Sequence, residues 1–224
     1  MKLFVFTDTH GNKRVISALI KKIQTSNPDI VICAGDLANF SVNLQKLLNI
    51  FEKTNLPLLI IPGNHETNSD LTAACKKTKF AINIHKRIYS INNYLFFGFG
   101  LGGFAEKNLE LEKLIPKIKK LSQKKILIIV THQPPYKTRL DYINAGHSGN
   151  KSIRKLINET KPRLGICGHL HENEDMLDRI NFCKDKIKIF VEKQDNKKIS
   201  EWKEKLNKAE QEFKELENRE EVVV

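Results

Sequence analysis

The sequence predicts an α/β layered fold, and three features carry that prediction. Apolar runs of strand length alternate with stretches of helical period. One run of β-branched and aromatic residues, 80 to 100, has no helical period and is divided by an Asn92-Asn93 turn signal. Carboxylate, amide and imidazole side chains recur immediately after the strand-like runs.

The elements follow in order. KLFVFT is the first strand, and a helix begins after Asn12. DIVICA is the second strand, with a helix near 42 to 53, and LPLLIIP is the third, with a helix near 68 to 78. The stretch FAINIHKRIYSINNYLFFGFG reads as antiparallel strands. A helix near 106 to 121, the strand KILIIVT (125 to 131), a helix near 150 to 160 and the strand RLGICG (163 to 168) come next, and then the rhythm fades.

Composition sets the scale. At 224 residues and 40% hydrophobic content, one sizeable core with an appendage is expected. The four cysteines are scattered, without a CxxC pair, so a reduced, cytoplasmic setting is the expectation. MKLFVF is too short for a signal-peptide core and no apolar run reaches membrane-spanning length, so no membrane partner is expected. The net charge of +12 is uneven, because residues 181 to 224 hold 11 basic and 11 acidic residues and the excess lies in 1 to 180. A basic body attracts nucleotides, nucleic acid or acidic proteins, and a solvated lysine surface explains it equally well.

The polar clusters fall where strands end. Asp8 and His10 follow the first strand, Gly35 and Asp36 the second, and Asn64 and His65 the third. His132 follows KILIIVT, and His169 and His171 follow RLGICG. Open α/β sheets place their sites beyond the carboxyl ends of strands. Any one of these residues alone reads as a turn former or helix cap. Five of the seven histidines lie just beyond strands, however, while His85 sits within one and reads as structural. Two carboxylates, four imidazoles and an amide oxygen make a mixed N/O set suited to Mn, Fe, Zn, Ni or Co. That set is too large for one closed site and sufficient for two metals sharing a carboxylate.

In this order the blocks DTH (8 to 10), GD (35 to 36), GNHE (63 to 66), the lone His132 of THQPP and GHLH (168 to 171) resemble the calcineurin-like metallophosphoesterases over roughly residues 1 to 172. The resemblance implies an α/β/β/α sandwich of two mixed β-sheets flanked by helices. It also implies two divalent transition metals, Mn foremost, with Fe, Ni, Zn or Co as alternatives. By resemblance Asp8, His10 and His171 hold one metal, Asn64, His132 and His169 the other, and Asp36 bridges them. A hydroxide between the metals attacks phosphorus, and His65 stabilises the transition state or protonates the leaving oxygen. Glu66 reads as a supporting residue or a helix cap.

Departures from the phosphoprotein phosphatases of this family bear on substrate. Their second block continues to an Asp and an Arg, and another Arg precedes their third block. Here Asn39 takes the Asp position, Phe40 the Arg position, and Pro62 precedes GNHE. Without an arginine clamp for a dianion, a phosphodiester monoanion is the better substrate, and TDTHGN with NAGHSGNKSIRKLI looks like the small prokaryotic phosphodiesterase-like members. His147 in that second stretch is a candidate for the site rim. A small phosphodiester or nucleotide is therefore the expected partner. A nuclease acting on nucleic acid and a non-catalytic scaffold of the same fold are the alternatives.

After GHLH the family's Asn-Pro-Gly or Asn-Val-Gly turn is missing, and KIKIFVE is the candidate for closing the second sheet. The phosphoesterase domain is assigned to 1–194 and a charged amphipathic helical tail to 195–224. In the tail Ile199, Trp202, Leu206, Ala209, Phe213 and Leu216 repeat at spacings of 3 and 4, a heptad seam suited to self-docking or to homo-oligomerisation through the helix, with a heterologous partner or a disordered tail as the alternatives.

Overall fold

The computed structural model describes residues 1–143, 146–170, 200–201, 203–208 and 210–211. Its first sheet runs β1 (Leu3–Phe6), β2 (Ile30–Cys33), β3 (Leu58–Ile60) and β4 (Ala81–Asn83), in that spatial order and with every pair parallel. Parallel neighbours need crossovers. Here they are α1 (Lys13–Ser26), α2 (Leu44–Phe51) with a short 3-10 turn at Glu52–Thr54, and α3 (Asn68–Lys76). As the sequence predicts, α1 begins after Asn12, whose side chain accepts hydrogen bonds from the N–H groups of Arg14 and Val15.

The second sheet is mixed. β5 (Ile88–Ile91) and β6 (Tyr94–Phe99) form the hairpin expected around Asn92-Asn93, with Ile91 opposite Tyr94. β7 (Ile126–Thr131), reached through α4 (Leu109–Ser122), lies parallel to β6. A two-residue ribbon, β8 (Tyr142–Ile143) with β9 (Gly146–His147), and α5 (Lys151–Thr160) then lead to β10 (Leu164–Ile166), parallel to β7. Two expectations need correction. The segment 80 to 100 is not antiparallel throughout, because Ala81–Asn83 is a parallel strand of the first sheet. For the same reason that sheet, among the described residues, is wholly parallel and not mixed. The crossover helix α3 dictates the pairing, a long-range constraint that a three-residue strand does not display in its own sequence.

Side-chain alternation sorts the strands into layers. Val31 and Cys33 of β2 join Ile16, Leu48 and Leu71 in a core beneath the first set of helices. Their neighbours Ile30 and Ile32 join Leu59, Phe96, Ile128 and Val130 in a core between the two sheets. Leu127 and Ile129 of β7 turn the other way, onto Leu111, Ile115 and Leu156 of α4 and α5. Three cores separate four layers, α/β/β/α. Strands buried on both faces explain why VIC, LLII and ILIIV are unbroken apolar runs.

Beyond residue 170 the description is partial. KIKIFVE, Ile199, Trp202, Ala209, Phe213, Leu216 and the 194/195 boundary lie outside the described residues; 200–201, 203–208 and 210–211 are helical. No helix among the described residues is long and apolar enough to cross a membrane.

The chain passes from one sheet to the other at His85, which is 5% exposed and lies between β4 and β5, not inside a strand as expected. Ile84 N–H bonds to Ile60 of the first sheet, and Lys86 N–H bonds to Gly98 of the second. The imidazole Nδ1 accepts the Gly100 N–H at 2.9 Å, so it must keep its lone pair. Burial, with the charge of Lys86 adding to it, pushes the pKa of His85 down from 6.5 to about 4. In the unfolded chain this residue takes a proton near 6.5, whereas the folded protein resists it until about pH 4. Its stabilising contribution is therefore complete above pH 6.5 and is lost as pH falls through that window, by roughly 3 kcal/mol. The expected outcome is that His85→Asn flattens the fall of the urea midpoint between pH 6.5 and 4, even though it lowers the midpoint at pH 7. Parallel pH curves for the two proteins would rule this account out.

Candidate metal centre

The loops that follow the strands are laced together by their backbones before any side chain is considered. Asp8 N–H donates to Gly35 O, His10 N–H to Asp36 O and Gly11 N–H to Leu37 O, at 2.8 to 3.0 Å, so the turns after β1 and β2 run side by side. In the second sheet His132 N–H reaches Phe99 O and Gly168 N–H reaches His132 O. Two contacts then stitch the sheets to each other. His132 Nδ1 bonds Ala34 O at 2.9 Å, and His169 N–H donates to Asp8 Oδ2 at 3.0 Å. The site is the seam where the carboxyl ends of both sheets meet.

At that seam the structure gathers Asp8, His10, Asp36, Asn64, His65, His132 and His169; His171 lies outside the described residues. Two groups have ligand atoms within 4.8 Å of one another, Asp8 with Asp36 and His132, and His10 with Asp36 and His65. Asp36 belongs to both. His10 Nε2 lies 3.9 Å from Asp8 Oδ1 and 3.8 Å from Asp36 Oδ2, while its Nδ1 bonds Asn39 Oδ1 at 2.8 Å. Asn39 thus orients the imidazole with Nε2 toward the carboxylates. His65 packs edge-on against the His10 ring at 4.8 Å, and its backbone N–H donates to Asp36 Oδ1 at 2.9 Å.

The lone pairs test whether a cation fits. Bonding of Nδ1–H to the Ala34 carbonyl leaves the lone pair of His132 on Nε2. That atom faces Asn64 Oδ1 at 2.9 Å and Asp36 Oδ2 at 3.4 Å. Nitrogen and oxygen lone pairs converging on one point need a positive species among them, and this N/O donor set suits a divalent transition metal. A proton on Nε2 is one such positive species. Burial opposes a charged His132, yet the hydrogen bond and the attraction to Asp36 outweigh it and raise the pKa. Burial likewise opposes ionised Asp36, and His132 together with the His65 N–H outweighs it and lowers the pKa.

Backbone strain concentrates here. Asp8, His10, Asp36 and His169 have φ of 55°, 46°, 52° and 79°, in the left-handed region that side chains other than glycine rarely adopt. Close approach also accounts for two glycines. A Cβ on Gly63 would lie 2.0 Å from Asp36 Oδ1, and one on Gly168 would lie 2.3 Å from Asp8 Oδ2. The carboxylates occupy the space that those side chains would need.

Glu66 takes the supporting role, one of the two that the sequence allows it. Its carboxylate, 4% exposed, accepts N–H bonds from Asp36 at 3.0 Å, Ala38 at 2.7 Å and Gly63 at 2.8 Å, and so clamps the loops after β2 and β3 together. It caps no helix, since Thr67 caps α3. Burial raises its pKa despite the three donors. Its place directly after GNH was the available signal. Gln133 and Asn150 were missed; the Gln133 amide donates to Gly103 O, and Asn150 Nδ2 donates to Ala105 O at 2.8 Å, fixing the loop after β6. His147, a candidate for the rim, is held by Asp141 at 2.8 Å and packs against Tyr136 and Tyr142.

Glu66→Gln keeps the shape but replaces one acceptor oxygen with a donor that faces backbone N–H groups. The expected loss is about 1 to 3 kcal/mol of stability by urea denaturation, with metal affinity falling roughly 10- to 100-fold. Unchanged values for both would show that the clamp is dispensable.

Comparison with known proteins agrees with this geometry. The family profile described as calcineurin-like phosphoesterase matches residues 1–173. An uncharacterised protein of Methanocaldococcus jannaschii is 29% identical over 187 residues, which cover 77% of this chain and 81% of that one. A probable cyclic nucleotide phosphodiesterase of Synechococcus sp. is 23% identical over 70% of this chain and 63% of its own length. A crystal structure from Thermus thermophilus shares the fold with a TM-score of 0.63 at 16% identity, covering 74% of this chain and 80% of that one. With a metal-binding seam at the strand ends and a family match over most of its length, the chain belongs to the calcineurin-like phosphoesterase family, metal-dependent hydrolases of phosphoesters.

Proposed function

We propose that the chain is a dinuclear phosphodiesterase acting on a small nucleotide-like diester. The observation that supports this reading is the central place of Asp36, whose carboxylate lies within reach of Asp8, His10 and His132 together; the two observed groupings, His10 with His65 and Asp8 with His132, cut across the ligand sets that the family resemblance implies. Asp8, His10 and His171 would hold one ion and Asn64, His132 and His169 the other, with manganese the first choice. Bound, such ions supply a water acidified toward neutral pH and a clamp for phosphate oxygens.

The chain's own residues do the rest. Asn39 and the Ala34 carbonyl fix the faces of His10 and His132, so the donors are set before substrate arrives. His65 packs against His10 at the seam, the imidazole that would serve the leaving oxygen. Phe40 stands where the phosphoprotein phosphatases have an anion-gripping Arg. A singly charged diester loses less than a dianion by that exchange. The Synechococcus relative, named as a probable cyclic nucleotide phosphodiesterase, supports the diester reading.

Metal analysis and a panel of mono- and diesters with Mn, including cyclic nucleotides and short DNA, test the proposal. Asp36→Asn is expected to empty both sites and abolish turnover, whereas Asp8→Asn empties one; a fully loaded, active Asp36→Asn protein would remove the dinuclear reading. His65→Asn is expected to keep its metal while losing about 10² to 10⁴-fold in kcat on alkyl diesters. Nitrophenyl esters, whose leaving group needs no proton, are expected to lose less, and equal losses would exclude proton donation.

A further inference from the structure

Two phenylalanines at the centre are left unexplained by metal binding. Phe40 is 78% exposed and Phe104 is 69% exposed, the two most exposed aromatic side chains among the large apolar residues at the described surface. Each rests on a site imidazole. The Phe40 ring lies 4.9 Å from that of His65, which packs on His10, and the Phe104 ring lies 5.0 Å from that of His169, which packs on His132. The two half-sites therefore carry one solvent-facing ring each.

Both rings stand on backbone that is pinned and strained. Phe40 and Ser41 have φ of 49° and 57°, left-handed values costly for an aromatic residue. Ser41 N–H bonds to His65 O at 3.0 Å, and Glu66 holds Ala38. Ahead of Phe104, Leu101, Gly102 and Gly103 are also left-handed, and buried Gln133 and Asn150 bind the carbonyls on either side of Phe104, those of Gly103 and Ala105. An apolar ring held in water by a strained, fixed loop costs stability, and neither ring joins one of the three cores. A rigid ring beside a phosphate site has a ready use, because every nucleobase offers a planar face to stack on and stacking needs no sequence readout.

We propose that Phe40 and Phe104 are specificity-determining residues that stack the nucleobase of the substrate while the centre holds its phosphate. The assignment rests on the phosphoester site described above and narrows its substrate to base-bearing nucleotides. It also gives the Arg-to-Phe difference at position 40 a positive role, an aromatic face in place of an anion grip.

The test compares a ligand with a base and one without. AMP and ribose 5-phosphate carry the same phosphate on the same sugar carbon, and calorimetric titration of each into the Mn-loaded protein reads the contribution of the base. AMP is expected to bind the native protein at least about tenfold more tightly, and Phe40→Ala with Phe104→Ala to erase about tenfold of that ratio, near the low end of base–aromatic stacks. Phe40→Trp with Phe104→Trp is expected to preserve it. Equal affinities in the native protein, or a ratio untouched by the double alanine change, would overturn the proposal. Failure of the diester reading shows separately, as native protein that hydrolyses no diester, and leaves the binding ratio to decide the role of the rings.

Discussion

Glu66 is the interaction on which the centre is built. Three backbone N–H groups, from Asp36, Ala38 and Gly63, converge on its buried carboxylate, and without it two loops would each have orphaned donors at the end of a buried strand. Those loops carry Asp36, Asn64 and His65. The clamp has an electrostatic consequence as well. Two acids sit close together, and their environments push them apart, with Glu66 raised chiefly by burial and Asp36 lowered, against burial, by His132. A carboxylate held ionised at the seam is prepared for a cation.

The four-layer packing explains why so many chemical groups reach one place. Parallel strands all end on the same edge, and two sheets stacked over a common core bring two such edges together. The β2 side chains Ile30 and Ile32 meet Ile128 and Val130 of β7 across that core, which fixes how Ala34 lies against His132 and how Asp8 lies against the backbone of His169. The apolar interior thus sets the distances of the polar site. Left-handed backbone at Asp8, His10, Asp36 and His169 is the local cost, tolerated because the laced turns leave those residues no alternative path.

The periphery is organised by the same rule of buried polar groups supporting exposed ones. Gln133 and Asn150, both buried, spend their amides on the loop that presents Phe104, and Asp141, fully buried, holds His147 along with the turn at Lys137 and Thr138. Such amides and carboxylates touch the chemistry only through what they position. They determine which side chains face the substrate and which face solvent.

The sequence by itself determined the α/β rhythm, the β5–β6 hairpin, the cap at Asn12, the structural role of His85 and the family, because strand runs, turn signals and the spaced blocks of ligands are local patterns. Six of the seven predicted ligand residues, Asp8, His10, Asp36, Asn64, His132 and His169, meet at one seam, and that too was legible, since each follows directly on an apolar run. The parallel placement of β4 was decided by a crossover helix and a neighbouring strand, which no three-residue segment encodes. Tertiary structure alone made Glu66 a clamp and Asn39 an orienting partner of His10, and it alone set Phe40 and Phe104 in solvent against His65 and His169. Each of those roles depends on a contact between residues remote in the chain, and a carboxylate, an amide or a phenyl ring acquires its function only from what the fold places beside it.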